Sequence, residues 1–244
     1  MKQIISLRHL LTVVAVLTAV NLTAQTTMKE VADAYNEGVQ NITSNQELAI
    51  KAFEKTIALA DAVAEPEAVQ LKNNAIGQIP KLYFEWARAL ASKNDLKGAV
   101  TQLQNCLAAS EKYNSTQFVR NATTTIAAVH MALGNNALTA KDYPAAIVNY
   151  DAAISYDKQS VKSYLGKIMV YQAQNQLSEM VIAADAAVAA GTRPNDAAVL
   201  GDINKVLSTA FFNAAQKSMQ EKNYQATEEN LSNSMKFGND NSVA

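Results

Sequence analysis

Imidazole, thiol and paired carboxylates carry most of the covalent and metal chemistry open to a chain of 244 residues, and here they are sparse and scattered. The sequence holds two histidines, His9 and His130, and one cysteine, Cys106. A zinc or similar site needs three or four such ligands brought close together, and neither CxxC nor HExxH occurs. His130 as a general base would need a nucleophile beside it and a third group to orient it. The eight glycines fall into neither GxGxxG nor GxxxxGK[ST], so no phosphate cradle is visible. Glu228 and Glu229 stand side by side, a pairing that on a solvated helix face is surface charge. The expectation is a protein with no catalytic residues, no metal and no cofactor.

Composition narrows the remaining classes. Lys and Arg number 21 against 22 Asp and Glu, so there is no excess positive charge to neutralise phosphates and no nucleic-acid role is expected. Hydrophobic residues make up 49%, enough for a continuous core, while charged residues reach only 18%, below the usual quarter. The polar surface is therefore rich in Asn and Gln. A single cysteine cannot bridge internally, so packing alone must hold the fold.

The elements that any surface must be built on recur along the chain. Ala49, Ala99, Ala146, Met180 and Thr227 anchor five similar helices. Four residues later come Phe53, Leu103, Tyr150, Ala184 and Leu231, and four further on Ile57, Leu107, Ile154, Val188 and Met235. This i, i+4, i+8 stripe lies on one helix face and marks the side that packs on the preceding helix. Polar breaks precede the later anchors: Lys93-Asn94-Asp95-Leu96, Lys141-Asp142-Tyr143, Gln174-Asn175-Gln176-Leu177 and Lys222-Asn223-Tyr224. Asp142 and Asn223 suit the N-cap of the following helix, and Thr27-x-x-Glu30 and Ser44-x-x-Glu47 read as capping boxes. The whole chain after the first two dozen residues reads as helix.

In the stretch 127–160, Leu133-Gly134, Ala137, Tyr143, Ala146, Tyr150, Ala153 and Ile154 set small residues against large ones on two short helices. This resembles the tetratricopeptide repeat (TPR) family, whose 34-residue unit is a helix-turn-helix. Similar copies run over 161–194, through Tyr164, Tyr171, Leu177, Ala187 and Val188, and over 80–113, through Tyr83, Trp86, Ala87, Leu90, Leu96, Ala99 and Cys106. Looser copies span about 28–63 and 208–241, the last keeping Phe211, Ala215, Tyr224 and Leu231. The resemblance implies an all-α, TPR-like α-α superhelix, a solenoid of antiparallel helix hairpins occupying residues 25–244. Successive anchors are 50, 47, 34 and 47 residues apart. The surplus near 67–79, 115–126 and 195–207 is helix-compatible and predicts lengthened first helices, each about 20 Å longer for thirteen residues. Gly77 and Pro80 are expected to break or kink the earliest of them. His130 takes a position filled elsewhere by Tyr83, Tyr164 and Phe211, which implies a packed, half-buried imidazole, and Cys106 falls at a small buried position.

In the resembling family the first helices line a concave groove. Carried onto this chain, the groove positions are Phe84 and Arg88, Met131 and Asn135, Leu165 and Met169, Phe212 and Gln216, with Tyr35 and Asn36 approximately equivalent in the first copy. Apolar anchors between amides and one guanidinium suit a bound peptide. The Lys/Asn/Arg clamp with which some family members grip a terminal carboxylate has no counterpart, because Lys81, Arg88 and Lys162 are scattered. The expected function is a non-enzymatic scaffold holding a protein or peptide partner. Two alternatives stand beside it: a glycan-binding accessory using Trp86, Tyr83 or Tyr113 as a stacking platform, and a structural module that associates with itself.

The N-terminus points to a destination. Lys2 and Arg8 precede an apolar run from Leu10 to Val20, followed by Asn21-Leu22-Thr23-Ala24. Charge, a short apolar stretch and a small residue in that order read as a signal peptide over residues 1–24, too short to span a bilayer. Cleavage after Ala24 leaves 19 basic against 22 acidic residues and no transmembrane segment in the mature chain. The junction resembles those of exported proteins of Gram-negative bacteria, which implies a periplasmic, outer-membrane-associated or extracellular location.

Overall fold

A computed structural model of the chain describes residues 26–238. The proposed signal peptide lies outside the described residues. Among the described residues ten α-helices follow in order: α1 (Met28–Asn41), α2 (Gln46–Ala60), α3 (Pro66–Ser92), α4 (Leu96–Lys112), α5 (Thr116–Thr139), α6 (Tyr143–Tyr156), α7 (Val161–Ala173), α8 (Leu177–Ala190), α9 (Asp196–Gln220) and α10 (Tyr224–Gly238). No strand occurs among the described residues. The fold is all-α and built from antiparallel helix hairpins. As the surplus spacing predicts, α3, α5 and α9 have 27, 24 and 25 residues, against 13 in α7.

Two compact units divide between Leu82 and Tyr83. In the first, α1 pairs with α2. Val31, Ala60, Val63 and Ala68 are buried together there, with Met28, Leu59 and Leu71 packed around them. Phe53 is fully buried over Gly38, where an added Cβ would stand 2.7 Å from its ring. In the second unit each helix from α4 onward packs on its neighbours in sequence, and the first helices α5, α7 and α9 also touch one another in turn.

Five of the turns between these helices share one construction, and in three of them its last residue also caps the next helix. Asn94, Asn114, Lys141, Asn175 and Lys222 all take the left-handed conformation, with φ between 57° and 63°. The next residue's N–H then reaches back five residues, as in Asp95 to Leu90 O, Asp142 to Ala137 O and Asn223 to Ser218 O, each 2.9 Å. That is a Schellman closure, which satisfies the last carbonyls of one helix. The residue closing it caps the following helix: Asp95 accepts from Gly98 N, Asp142 from Ala145 N and Asn223 from Ala226 N. The capping box Thr27–Glu30 forms as read from the sequence. The second cap is corrected by one residue: Asn45, not Ser44, is the N-cap of α2 and accepts from Leu48 N. An amide one position nearer the helix reaches N3 directly, so Ser44 stays in the turn.

The break expected at Gly77 and Pro80 does not occur, since α3 runs unbroken from Pro66 to Ser92. Proline removes one donor from the ladder, but Pro80 is buried beside Ile79 and Leu82, and that packing holds the helix through it. Nothing lies within 4 Å of a Cβ placed on Gly201, and the same is true of Gly77.

The core of the third hairpin turns on Tyr150, fully buried in α6. A Cβ on Gly134 of α5 would stand 2.7 Å from its ring, and one on Gly166 of α7 would collide with it. Two glycines thus flank one aromatic ring. Its hydroxyl escapes the apolar slot by donating to Asn135 Oδ1 at 2.7 Å, and burial pushes the phenol pKa up, keeping that proton in place. The last hairpin replaces this device with hydroxyls. Ser208 and Ser234 donate to each other's backbone carbonyls at 2.8 and 2.9 Å, and Thr227 donates to Asn223 O at 2.8 Å and lies 3.2 Å from Ser218 Oγ.

Tyr150→Ala should lower unfolding free energy by about 3–5 kcal/mol in urea titration, the range for aromatic truncation in a core. Gly166→Ala, which deletes nothing, should still cost about 1–3 kcal/mol through overpacking, and part of that loss should return in Tyr150→Leu. Additive losses in the double variant would show that the ring does not fill the slot. Conversely, Gly201→Ala, in an open helix interior, should gain about 0.5–1 kcal/mol because alanine loses less backbone entropy.

Candidate functional site

The two residues per first helix that the sequence places on one groove are separated by the structure. Phe84, Met131 and Leu165 are half-buried wedges. The Phe84 ring meets Phe118 edge-on at 5.9 Å, Met131 packs into the cluster around Tyr150, and Leu165 packs into the cluster of Ile168 and Leu207. Arg88, Asn135, Met169 and Gln216, each four residues further on, are all exposed. Four residues in a helix of 3.6 per turn rotate the side chain by about 40°, enough to leave the seam between neighbouring helices and reach the open face. Phe212 departs from its counterparts and is 46% exposed. In the first unit Tyr35 is half-buried with its ring 5.5 Å from Phe53, and Asn36 is exposed.

Some of these groups are already engaged. Arg88 pairs with Glu85 at 3.2 Å on its own helix, and the Asn135 oxygen holds the Tyr150 hydroxyl. Met169 and Gln216 carry no such ties within the described residues. On the same two helices, between α7 and α9 but lined by neither residue, runs a groove of about 440 Å³. Its walls are Gln172, Asn175, Asn213, Lys217 and Glu221, and its floor is Leu177, Ala210 and Ala214. Sequence reasoning missed this polar set. The signal was present as Asn213, Lys217 and Glu221 at i, i+4 and i+8 on α9, but a polar stripe reads as solvated surface until a neighbouring helix walls it in. Amide side chains offer donors and acceptors together, which matches the alternating N–H and C=O groups of an extended peptide.

At the other end of these helices Arg193 forms a two-point contact with Asp157, at 2.6 and 2.9 Å, while its backbone N–H donates to Asp196 at 2.8 Å. The pair ties the α6–α7 connection to the α8–α9 connection beside a hollow of about 250 Å³ that Lys162 and Met131 also line. The guanidinium holds the Asp157 carboxyl below the usual aspartate range.

The remaining chemistry-bearing residues are structural. His130 is half-buried, with Nδ1 3.1 Å from Asn149 Oδ1, where the ring N–H donates, and it stacks on Tyr156 at 6.1 Å. Cys106 is fully buried, and burial pushes its thiol pKa up, away from the reactive thiolate. Among the described residues no three His, Cys, Asp or Glu side chains converge on a metal position, and no helix is long and apolar enough to cross a membrane. Of the three aromatics weighed as a sugar platform, Tyr83 packs on the cluster around Leu103, Trp86 is half-buried, and Tyr113 lies under the Lys112 ammonium at 5.1 Å.

No protein-family model matches the chain, and no curated protein does. Among solved structures it is similar to a crystal structure of MamA protein, 14% identical over 88% of this chain and 97% of that one, with a TM-score of 0.36. It is also similar to MamA 41-end from Desulfovibrio magneticus RS-1, at 16% identity, 87% and 97% coverage and a TM-score of 0.31. BtubC (BKLC) from P. vanneervenii is 11% identical over 86% and 89%, with a TM-score of 0.34.

The Asp157–Arg193 tie sets a pH dependence. The carboxyl is depressed in the folded state, so its contribution is complete above the unfolded aspartate pKa of about 4 and fades as pH falls through the lower folded value. Asp157→Asn should therefore lower the melting temperature at pH 7 and make progressively less difference below about pH 4. An equal deficit at pH 7 and pH 3, followed by circular dichroism, would contradict the ionic tie.

Proposed function

We propose that this chain is a non-enzymatic scaffold that holds a peptide or protein partner along the exposed faces of its first helices, in the second unit. One observation carries the reading: the row Asn135, Met169 and Gln216 stays open to solvent beside a groove whose amides and Lys217 are not consumed by internal bonds. A solenoid face lined this way offers an apolar contact at Met169, 44% exposed, together with hydrogen-bonding groups spaced along neighbouring helices. Arg88 extends the row with a cation whose present partner, Glu85, is exposed and easily exchanged. We also propose that the partner is met in the envelope of a Gram-negative bacterium, on the strength of the charge and apolar pattern of residues 1–24.

A photo-crosslinking residue placed at Met169 or Gln216 in cells of the source organism should give a discrete higher-mass adduct. The same residue at exposed Asp185, on second helix α8, should not. Met169→Asp should abolish the Gln216 adduct while leaving the helical signal intact. Equal labelling at 169, 216 and 185 would remove the groove from consideration, and a purified protein whose N-terminus retains residues 1–24 would remove the export reading.

A further inference from the structure

The last described hairpin carries an apolar face of its own. Phe212, Met219, Tyr224, Leu231 and Met235 are 46, 51, 65, 37 and 61% exposed. Their equivalents 81 residues earlier are Met131, Leu138, Tyr143, Tyr150 and Ile154, every one buried or half-buried. The difference has a direct cause. The α5–α6 hairpin is covered by α7, whose Gly166 closes over Tyr150; no helix among the described residues lies over α9–α10 in the same way. A shallow groove of about 450 Å³ remains, bounded by Met219, Tyr224, Leu231 and Met235, with Glu228 its one charged wall.

We propose that this end face binds the same face of a second copy of the chain, joining two chains tail to tail. The face continues the stacking interface that every earlier hairpin of the second unit makes with its neighbour, so its shape suits another helix hairpin. It carries almost no charge with which to select a different protein. The first helix is a poor cover, because α1 exposes Lys29, Asp33, Asn36, Glu37 and Gln40 with Val39 its one large exposed apolar residue, a mainly ionic and amide surface unmatched to methionine and leucine. That mismatch disfavours head-to-tail growth into a filament and leaves the isologous pairing, in which apolar meets apolar across a twofold axis. An antiparallel crossing near the middle of α10 sets Tyr224 of one copy against Met235 of the other, a favourable sulfur–aromatic contact. Glu228 stays at the wet rim beside Ser232.

Sedimentation of the mature chain, residues 25–244, should show a concentration-dependent dimer, weakened at least about tenfold by Met235→Glu or Tyr224→Glu. Both positions are well exposed, so neither variant threatens folding. Because Cys106 is fully buried, an engineered Ser232→Cys supplies the one accessible thiol, and mild oxidation should yield a disulfide-linked dimer that Asp185→Cys does not. A monomer at every concentration up to about 100 μM overturns the proposal. A monomer that begins to dimerise when residues 239–244 are removed also overturns it, since the occupant is then the chain's own C-terminal segment. A dimer untouched by both glutamate variants places the contact elsewhere and overturns it too. The groove reading is tested separately, because Met169 lies on α7 and outside this face.

Discussion

A large side chain on one helix must meet a small one on its partner, and the second unit is organised around that exchange. Across the hairpins the facing positions are sixteen residues apart: Ala87 with Leu103, Gly134 with Tyr150, Ile168 with Ala184, Ala215 with Leu231. In the third pair the sizes are reversed, yet Ile168 and Ala184 still share one buried cluster. What is conserved along the array is summed volume, not residue type, as close packing demands. Tyr150 is the limiting case, because a ring of that size forces glycine on both sides, including the one contributed by the next repeat. Gly166 therefore links adjacent repeats into one cooperative structure, since neither hairpin can adopt its packing without the other.

The turns make that exchange possible by holding register. Volume matching across sixteen residues fails if a helix starts one residue early, and the left-handed residue followed by an Asp, Asn, Ser or Gln fixes the start. Two of the five left-handed positions are lysines, Lys141 and Lys222, which adopt that conformation less readily than asparagine. Their strain is tolerated because the same residue closes the preceding helix and releases the capping residue for the next. The geometry of one short turn thus satisfies backbone groups at two helix ends.

Much of this was legible in the sequence, for identifiable reasons. The 3.6-residue periodicity and the anchor spacing exposed the hairpins and the three lengthened first helices, because both depend on patterns within one segment. At Pro80 the break that the local rule allows does not occur, because that rule holds no record of Ile79 and Leu82 being buried beside it. What the structure adds at the proposed groove positions is exposure. Residues Arg88, Asn135, Met169 and Gln216 fall on the open face, whereas Phe84, Met131 and Leu165 are drawn into the seams. That division depends on how closely the next first helix approaches, and a single repeat carries no record of its neighbour.

The same dependence explains the exposed apolar groups of the last hairpin, which are distinct from Val148, Ile182 and Val188, exposed on second helices. Within an array, a residue such as Leu138 has its burial supplied by the repeat that follows it; its counterpart Met219 has the same chemistry and no such cover among the described residues. A solenoid thus generates an adhesive end wherever stacking stops without a polar outer helix. Its lateral face behaves differently. There the first helices expose residues that no repeat is built to cover, so an apolar side chain like Met169 persists along the array without driving further stacking. End face and lateral face thus differ in origin, one exposing groups that stacking buries elsewhere and the other exposing groups that no following repeat covers.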